Sequence, residues 1–330
     1  MKAVLCKQYG PPETLVLEDV QPLQPGPGQI LISVRATGVN FPDTLIIENR
    51  YQLKPDLPFS PGAEVAGVVQ AVGEGVRAFR PGERVIAVPG YGGYAEQTLA
   101  REEDTFPLPD GIDFADAAAF LIAYGTTHYA LQERAALRPG ETLLVLGAAG
   151  GTGLSAVEMG KLLGARVIAA ASSDEKLALC REHGADELIN YSREDLRQRL
   201  KELTGGRGVD IVYDPVGGSF SEAALRSMAW NGRFLVIGFT AGEIPKVALN
   251  LTLLKGCSIV GVWWGGFLRS EPERAAALTR ELVEWFRQGK VRPYISKRYP
   301  LEQAAQALAE VAARKATGKI VLLPDSARER

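Results

Sequence analysis

The sequence has no apolar run approaching the roughly 18 residues that a membrane-spanning helix needs, so no transmembrane helix is expected. It has only three cysteines, Cys6, Cys180 and Cys257, odd in number and far apart. No disulfide framework or metal-ligand spacing is visible among them, and a reducing compartment suits them best. Its two histidines, His128 and His183, are not paired. No charge of one sign dominates: a formal net charge of −2 argues against nucleic acid or an anionic membrane as partner. Internal repeats and low-complexity tracts are missing too. The N-terminal MKAVLCKQYGPPE lacks an apolar core of signal-peptide length. These absences lead to the expectation of a cytoplasmic globular protein.

What the chain has is ample core material. Hydrophobic residues make up 46% of its 330 residues and charged ones 23%, enough for about two domains. Residues 1–120 carry short strand signals at Lys2–Leu5, Gln29–Thr37, Ala63–Val72, Glu83–Val88 and Gly93–Leu99. Proline and glycine punctuate them, as in PLQPGPGQ and FRPGER. This predicts a compact, irregular β barrel. Phe114–Leu131 is helical in pattern, with Gly125 expected to break it.

From Thr142 the pattern becomes an alternation of strands and helices. Six strands are expected at Leu143–Leu146, Val167–Ala171, Glu187–Ile189, Asp210–Asp214, Phe234–Ile237 and Ser258–Val262. Helices are expected at Asp174–His183, Ser192–Thr204 and Phe220–Ala229, whereas Thr240–Gly256 is less plainly helical. Such alternation predicts an α/β fold with a doubly wound parallel sheet, and a ligand outside the carboxyl ends of its strands. Glu273–Gln288 and Leu301–Arg314 read as amphipathic helices and Lys319–Leu323 as a strand. This tail is expected to fold back on the β domain. The division expected is therefore 1–122 with 266–330, and 123–265 between them. The terminal SARER is expected to fray.

The chain is organised around Thr142 to Gly153, TLLVLGAAGGTG. An apolar strand leads into a glycine turn, and a helix pattern follows. That is a dinucleotide-binding βα unit. Gly150 lets the backbone approach a pyrophosphate and Gly153 lets helix pack on strand. The N–H groups of Gly151, Thr152 and Gly153 open the helix and face the phosphate charge. Ala148 stands where the usual glycine string has its first member.

Cofactor choice rests on the end of the second strand. A site for NAD places Asp or Glu about 20 residues beyond the glycine turn, where it accepts from the ribose hydroxyls. Here that position is Ser172. A 2′-phosphate fits beside it, bonded by Ser172 and Ser173 and paired with Lys176. Ser-Ser-Asp is also a good helix start, Lys176 can be a solvated charge, and Asp174 or Glu175 can take the NAD role.

Several stretches, in order, resemble the zinc-independent quinone oxidoreductase branch of the medium-chain dehydrogenase/reductase superfamily. They include VRATGVNFPDTL, LPFSPGAEVAGVVQAVGEGV, AYGTTHYAL, LVLGAAGGTGLSAVEMGKLLGARVIAAASS, GVDIVYDPVGG, GRFLVIGF and ATGKIVLLP. The resemblance covers nearly the whole chain. It implies a GroES-like β domain plus a Rossmann domain. Zinc enzymes of the superfamily place Cys where this chain has Asn40 and His where it has Ala63. Asn is a poor zinc ligand and Ala is none, so no metal is expected.

The resemblance further implies NADPH as cofactor. Tyr191 matches a tyrosine beside the 2′-phosphate and Arg314 an arginine that reaches the same region. Thr126 resembles a residue near the carboxamide. Val216, Ile237, Gly238 and Phe239 lie in turns that contact the cofactor, and Val262 and Trp263 are expected to border the nicotinamide. Asn40, Asp43 and Tyr51 come from the segment lining the active cleft. The Asn40 amide and the Tyr51 phenol are the candidate catalytic donors to an acceptor oxygen, and Asp43 is read as structural.

The expected activity is hydride transfer from NADPH to a quinone. An enone or enoyl-thioester reductase is the alternative, and a non-catalytic, crystallin-like NADPH-binding protein the alternative of another class. The sixth strand, CSIVGVWWG, is an apolar edge. It predicts a homodimer, as relatives of this kind form by pairing that edge.

Overall fold

The computed structural model describes residues 1–325; the SARER segment lies outside the described residues. The strands in chain order are β1 (Lys2–Leu5), β2 (Val16–Asp19), β3 (Gln29–Val39), β4 (Glu64–Val72), β5 (Arg84–Ala87), β6 (Gln97–Arg101) and β7 (Thr105–Pro107). Next come β8 (Thr142–Leu146), β9 (Arg166–Ala171), β10 (Glu187–Asn190), β11 (Val209–Asp214), β12 (Met228–Val236) and β13 (Ser258–Gly261). The last are β14 (Ile295–Pro300) and β15 (Lys319–Leu323). The chain forms two units. One comprises Met1–Ile122 with the described residues from Arg292 onward, and the other Ala123–Val291.

The first unit is built on a sheet in the order β14-β15-β3-β4-β5-β7, with β6 also pairing β3. The C-terminal strand β15 lies antiparallel to β3, Ile320 opposite Val39. On the other side of β3, Gly38 stands opposite Glu64 of β4. This register brings residues some 255 positions apart, Glu64 and Lys319, to the end of β3. One core cluster includes Ile46, Ile47, Tyr94 and Leu322, and a second includes Ile32, Val65 and Val85.

The second unit holds a six-stranded sheet in the order β10-β9-β8-β11-β12-β13. All five pairings are parallel. The order runs outward from β8 in both directions, so the reversal falls between β8 and β11. All five residues of β8 are buried, as a strand covered on both faces requires. The expected doubly wound sheet is therefore present.

Three expectations need correction. Phe114–Leu131 is not one helix: Phe114–Ala118 and Leu121–His128 are separate α-helices, and Tyr129–Arg134 winds as a π-helix. Gly125 does not break the second helix but sits inside it. A Cβ there would come within 2.6 Å of the Trp264 ring, so close approach, not helix termination, explains the glycine. Thirdly, the boundary expected near Gly265 lies at Val291. The helix Pro272–Arg287 stays with the second unit because Trp285 meets the His128 ring edge-on at 5.1 Å. Within Thr240–Gly256, only Asn250–Lys255 is helical. No helix among the described residues is long and apolar enough to cross a membrane.

Candidate functional site

The strand–turn–helix at the centre of the second unit has the expected geometry. Gly147 leaves β8 with φ +58°, a left-handed conformation that glycine adopts without strain. The helix Gly151–Leu162 starts from Gly150. A Cβ on Gly153 would overlap the Gly147 carbonyl oxygen, so this glycine is required by packing. At Gly150 the nearest atom to such a Cβ is that same oxygen at 3.4 Å, an ordinary contact. The protein's own packing therefore does not demand glycine at 150. The missing side chain leaves the approach to the helix N-terminus open, as a pyrophosphate needs.

The second-strand end is equally defined. Ser173 caps the helix Asp174–Glu182, its Oγ accepting from the Lys176 N–H at 3.3 Å. The Lys176 ammonium donates to Ser172 Oγ at 3.3 Å. Ser192 Oγ donates to the Ser172 carbonyl at 2.9 Å, and the Tyr191 N–H to the Ala171 carbonyl at 3.2 Å. Tyr191 lies against Phe220, ring centroids 4.4 Å apart. Ser172, Ser173, Lys176 and Tyr191 thus meet at the carboxyl ends of β9 and β10. Arg314, with φ +58°, belongs to the other unit.

At the carboxyl end of β11, Asp214 shapes the turn that carries Val216. Its Oδ1 accepts from the Val216 and Gly217 N–H groups at 2.8 and 2.9 Å, and its Oδ2 from Ser221 Oγ at 2.6 Å. Burial pushes its carboxyl pKa up despite these bonds. A Cβ on Gly147 would stand 2.7 Å from Val216, so Val216 lies directly on the glycine turn. Ile237 and Gly238 donate their N–H groups to the Asp214 carbonyl, and Phe239 packs over Gly217. Val262 is buried, its N–H bonded to the Val236 carbonyl. Trp263 is half-exposed, with the Arg269 guanidinium 4.8 Å over its ring.

Thr126 is half-buried in the helix Leu121–His128. Its neighbour Thr127 joins a hydroxyl cluster that sequence reasoning missed. Thr127 Oγ1 lies 2.7 Å from Ser155 Oγ and 3.0 Å from the Tyr213 hydroxyl. Ser155 Oγ also donates to the Thr152 carbonyl at 2.9 Å. The cluster ties the Thr126 helix to the first turn of the glycine-turn helix. Hydroxyls at helical and strand positions give no such signal in one dimension.

In the first unit, Asn40 opens the helix Phe41–Ile47 and both its amide nitrogen and its amide oxygen are held. Nδ2 donates to Glu64 Oε1 at 2.9 Å, and Oδ1 accepts from the Lys319 ammonium. Lys319 also donates to Glu64 Oε1 at 2.7 Å, and the Ile122 N–H to Glu64 Oε2 at 2.9 Å. Glu64 is 0% and Lys319 4% exposed. Asp43 Oδ2 accepts from the Asn40 N–H at 2.8 Å and from the Tyr94 hydroxyl at 3.0 Å. Tyr51 is half-buried against the surrounding apolar cluster. Among the described residues, no three His, Cys, Asp or Glu side chains gather as a metal-binding group.

Burial drives the Asp43 carboxyl up to about 6, against the lowering effect of its hydrogen bonds and of Lys319. The folded chain therefore binds this proton more tightly than the unfolded one, and stability falls as pH rises from about 4 to about 6. The size is about 2–3 kcal/mol, at roughly 1.4 kcal/mol per unit. Asp43→Asn, which keeps an acceptor for Asn40 and Tyr94, should remove that loss. Its stability relative to the wild type should improve by that amount between pH 4 and 7 in urea titrations. A difference that stays flat across this range would contradict the assignment.

Comparison with known proteins places this chain among relatives. Residues 26–110 match the family model "Alcohol dehydrogenase GroES-like domain" and residues 151–282 the model "Zinc-binding dehydrogenase". A quinone oxidoreductase of Pseudomonas aeruginosa is 41% identical over 98% of this chain and 99% of its own. Quinone oxidoreductase-like protein 2 of Bos taurus is 39% identical, covering 97% and 92%. The Escherichia coli quinone oxidoreductase, crystallised with NADPH, superposes with a TM-score of 0.91 at 31% identity, covering 98% and 100%. A mycobacterial protein crystallised with NADPH gives 0.92 at 35%, with the same coverage.

Proposed function

Since the chain belongs to the quinone oxidoreductase branch of the medium-chain dehydrogenase/reductase superfamily, we propose that it is an NADPH-dependent reductase of quinones. The observation that carries the cofactor choice is Ser172 with the Lys176 ammonium folded onto it, where an NAD site has a carboxylate. Bound NADPH supplies hydride from C4 of its nicotinamide. The protein's share is binding and orientation. Gly151, Thr152 and Gly153 offer backbone N–H groups to the pyrophosphate, and Ser172 and Lys176 take the 2′-phosphate. Thr126, Val216, the 237–239 turn, Val262 and Trp263 hold the nicotinamide end.

The Asn40 amide carries two protons. Glu64 takes one, and the other is the donor we assign to the acceptor oxygen, with the Tyr51 phenol as second donor. A turnover screen of quinones, enones and enoyl thioesters with NADPH and NADH tests the reading. NADPH oxidation should be fastest with quinones. Binding of NADPH without turnover on any acceptor would overturn it.

We also propose a homodimer joined along β13. Ile259 on that strand is exposed, as are Leu249, Leu253 and Leu254 shortly before it and Trp230 on the neighbouring β12, and an open apolar edge invites a second copy. Light scattering should give twice the 35.5 kDa chain mass; a monomer at micromolar concentration would contradict this.

A further inference from the structure

Two carboxylates stand immediately after Ser173, and the sequence leaves open that Asp174 or Glu175 serves a ribose diol. The structure occupies both otherwise. Glu175 is hydrogen-bonded by the Ser173 hydroxyl, which holds its carboxyl below the usual range. Asp174 Oδ1 accepts from Asn190 Nδ2 at 2.9 Å and from the Arg193 guanidinium at 2.8 Å. Asn190 is itself buried and fixed. Its Oδ1 accepts from the Ser192 N–H at 3.2 Å and its own N–H donates to Glu194 at 2.7 Å. Ser192 in turn is bonded to the Ser172 carbonyl. The loop after β10 is thereby sewn to the loop after β9, with the Asp174 carboxylate held at the seam.

We propose that Asn190 and Arg193 form a clamp that draws the Asp174 carboxylate away from the adenosine ribose and neutralises it, so that the site accepts a 2′-phosphate. The inference rests on the NADPH reading above and deepens it. Released from the clamp, Asp174 lies two residues from Ser172 with a full negative charge. It would then repel a 2′-phosphate and accept from a free 2′-hydroxyl, as the acidic residue of an NAD site does. Arg193 is thus a positioning residue that acts through Asp174.

The test uses the full chain and two fragments, 2′,5′-ADP and 5′-AMP, with affinities measured by titration calorimetry. The wild type should prefer 2′,5′-ADP. Arg193→Ala should lower that affinity ratio roughly two- to fivefold, the range of an exposed, screened ion pair. Arg193 is 64% exposed in its side chain, so the variant should fold. Adding Asp174→Asn to Arg193→Ala should restore the ratio, because the charge to be restrained is gone. A lowered ratio that Asp174→Asn does not rescue would mean that Arg193 touches the phosphate itself, and would overturn the clamp. An unchanged ratio in Arg193→Ala overturns it as well, while leaving the NADPH reading intact. A wild type that binds both fragments equally removes the NADPH reading and the clamp together.

Discussion

Lys319→Met should cost about 3–5 kcal/mol of stability, the range for removing one partner of a buried ion pair. The Lys319 ammonium lies 2.7 Å from Glu64 Oε1, and both side chains are almost wholly buried. Methionine fills nearly the same volume as the lysine stem, so the change isolates the charge. What remains is a carboxylate out of reach of water, with the Asn40 amide and the Ile122 N–H as donors. Neutral donors recover only part of what an ammonium supplies. The loss should therefore be relieved by removing the orphaned charge: Lys319→Met with Glu64→Gln should recover at least half of it, since a neutral amide costs less to bury. Urea midpoints and slopes for the wild type, both single variants and the double variant measure this. A single-variant loss under about 1 kcal/mol would show that the pair is not buried in solution as it is in the fold.

The same pair shows where sequence reasoning stops. The core of the second unit was legible because its signals are local. An apolar run followed by Gly147, Gly150 and Gly153 predicts strand, turn and helix from twelve consecutive residues. The observed β8 and the helix Gly151–Leu162 follow that reading. The place of Ser172 just after β9 was legible for a similar reason, since it is counted along the chain from the glycine turn. Glu64 and Lys319 sat in plain view, each opening an apolar strand, GAEVAG and GKIVLL. A charged residue heading a buried strand is itself a signal that it has a partner.

Nothing in one dimension names the partner, though. Asn40 and Glu64 are 24 residues apart, and Lys319 is 279 residues from Asn40. The register of β3 against both β4 and β15 brings them together. Side-chain packing explains the other misses. Gly125 reads as a helix breaker until the Trp264 ring is seen lying on it. Trp285 likewise assigns its helix to the second unit through His128, a residue far back in the chain.

Ser172→Asp should reverse the cofactor preference. In the wild type the position is a hydroxyl with the Lys176 ammonium 3.3 Å away, one helical turn on. A 2′-phosphate carries nearly two negative charges at neutral pH and is well served by a hydroxyl and a cation there. An aspartate at 172 sets a carboxylate against that phosphate and also captures Lys176, so repulsion is added and an attraction withdrawn. With NADH the same carboxylate accepts from the ribose hydroxyls. The combined effect is roughly 2–4 kcal/mol of discrimination, about 30- to 1,000-fold in the ratio of kcat/KM for the two cofactors. Lys176→Ala should lower the ratio in the same direction but less, because a half-buried cation is still partly screened by solvent. Both effects should appear in kcat/KM for NADPH, with the maximal rate at saturating NADPH falling less, since position 172 is assigned to the adenosine end and not to the reacting carbon. A wild type that already favours NADH, or a Ser172→Asp protein with an unchanged ratio, would show that this hydroxyl does not read the phosphate.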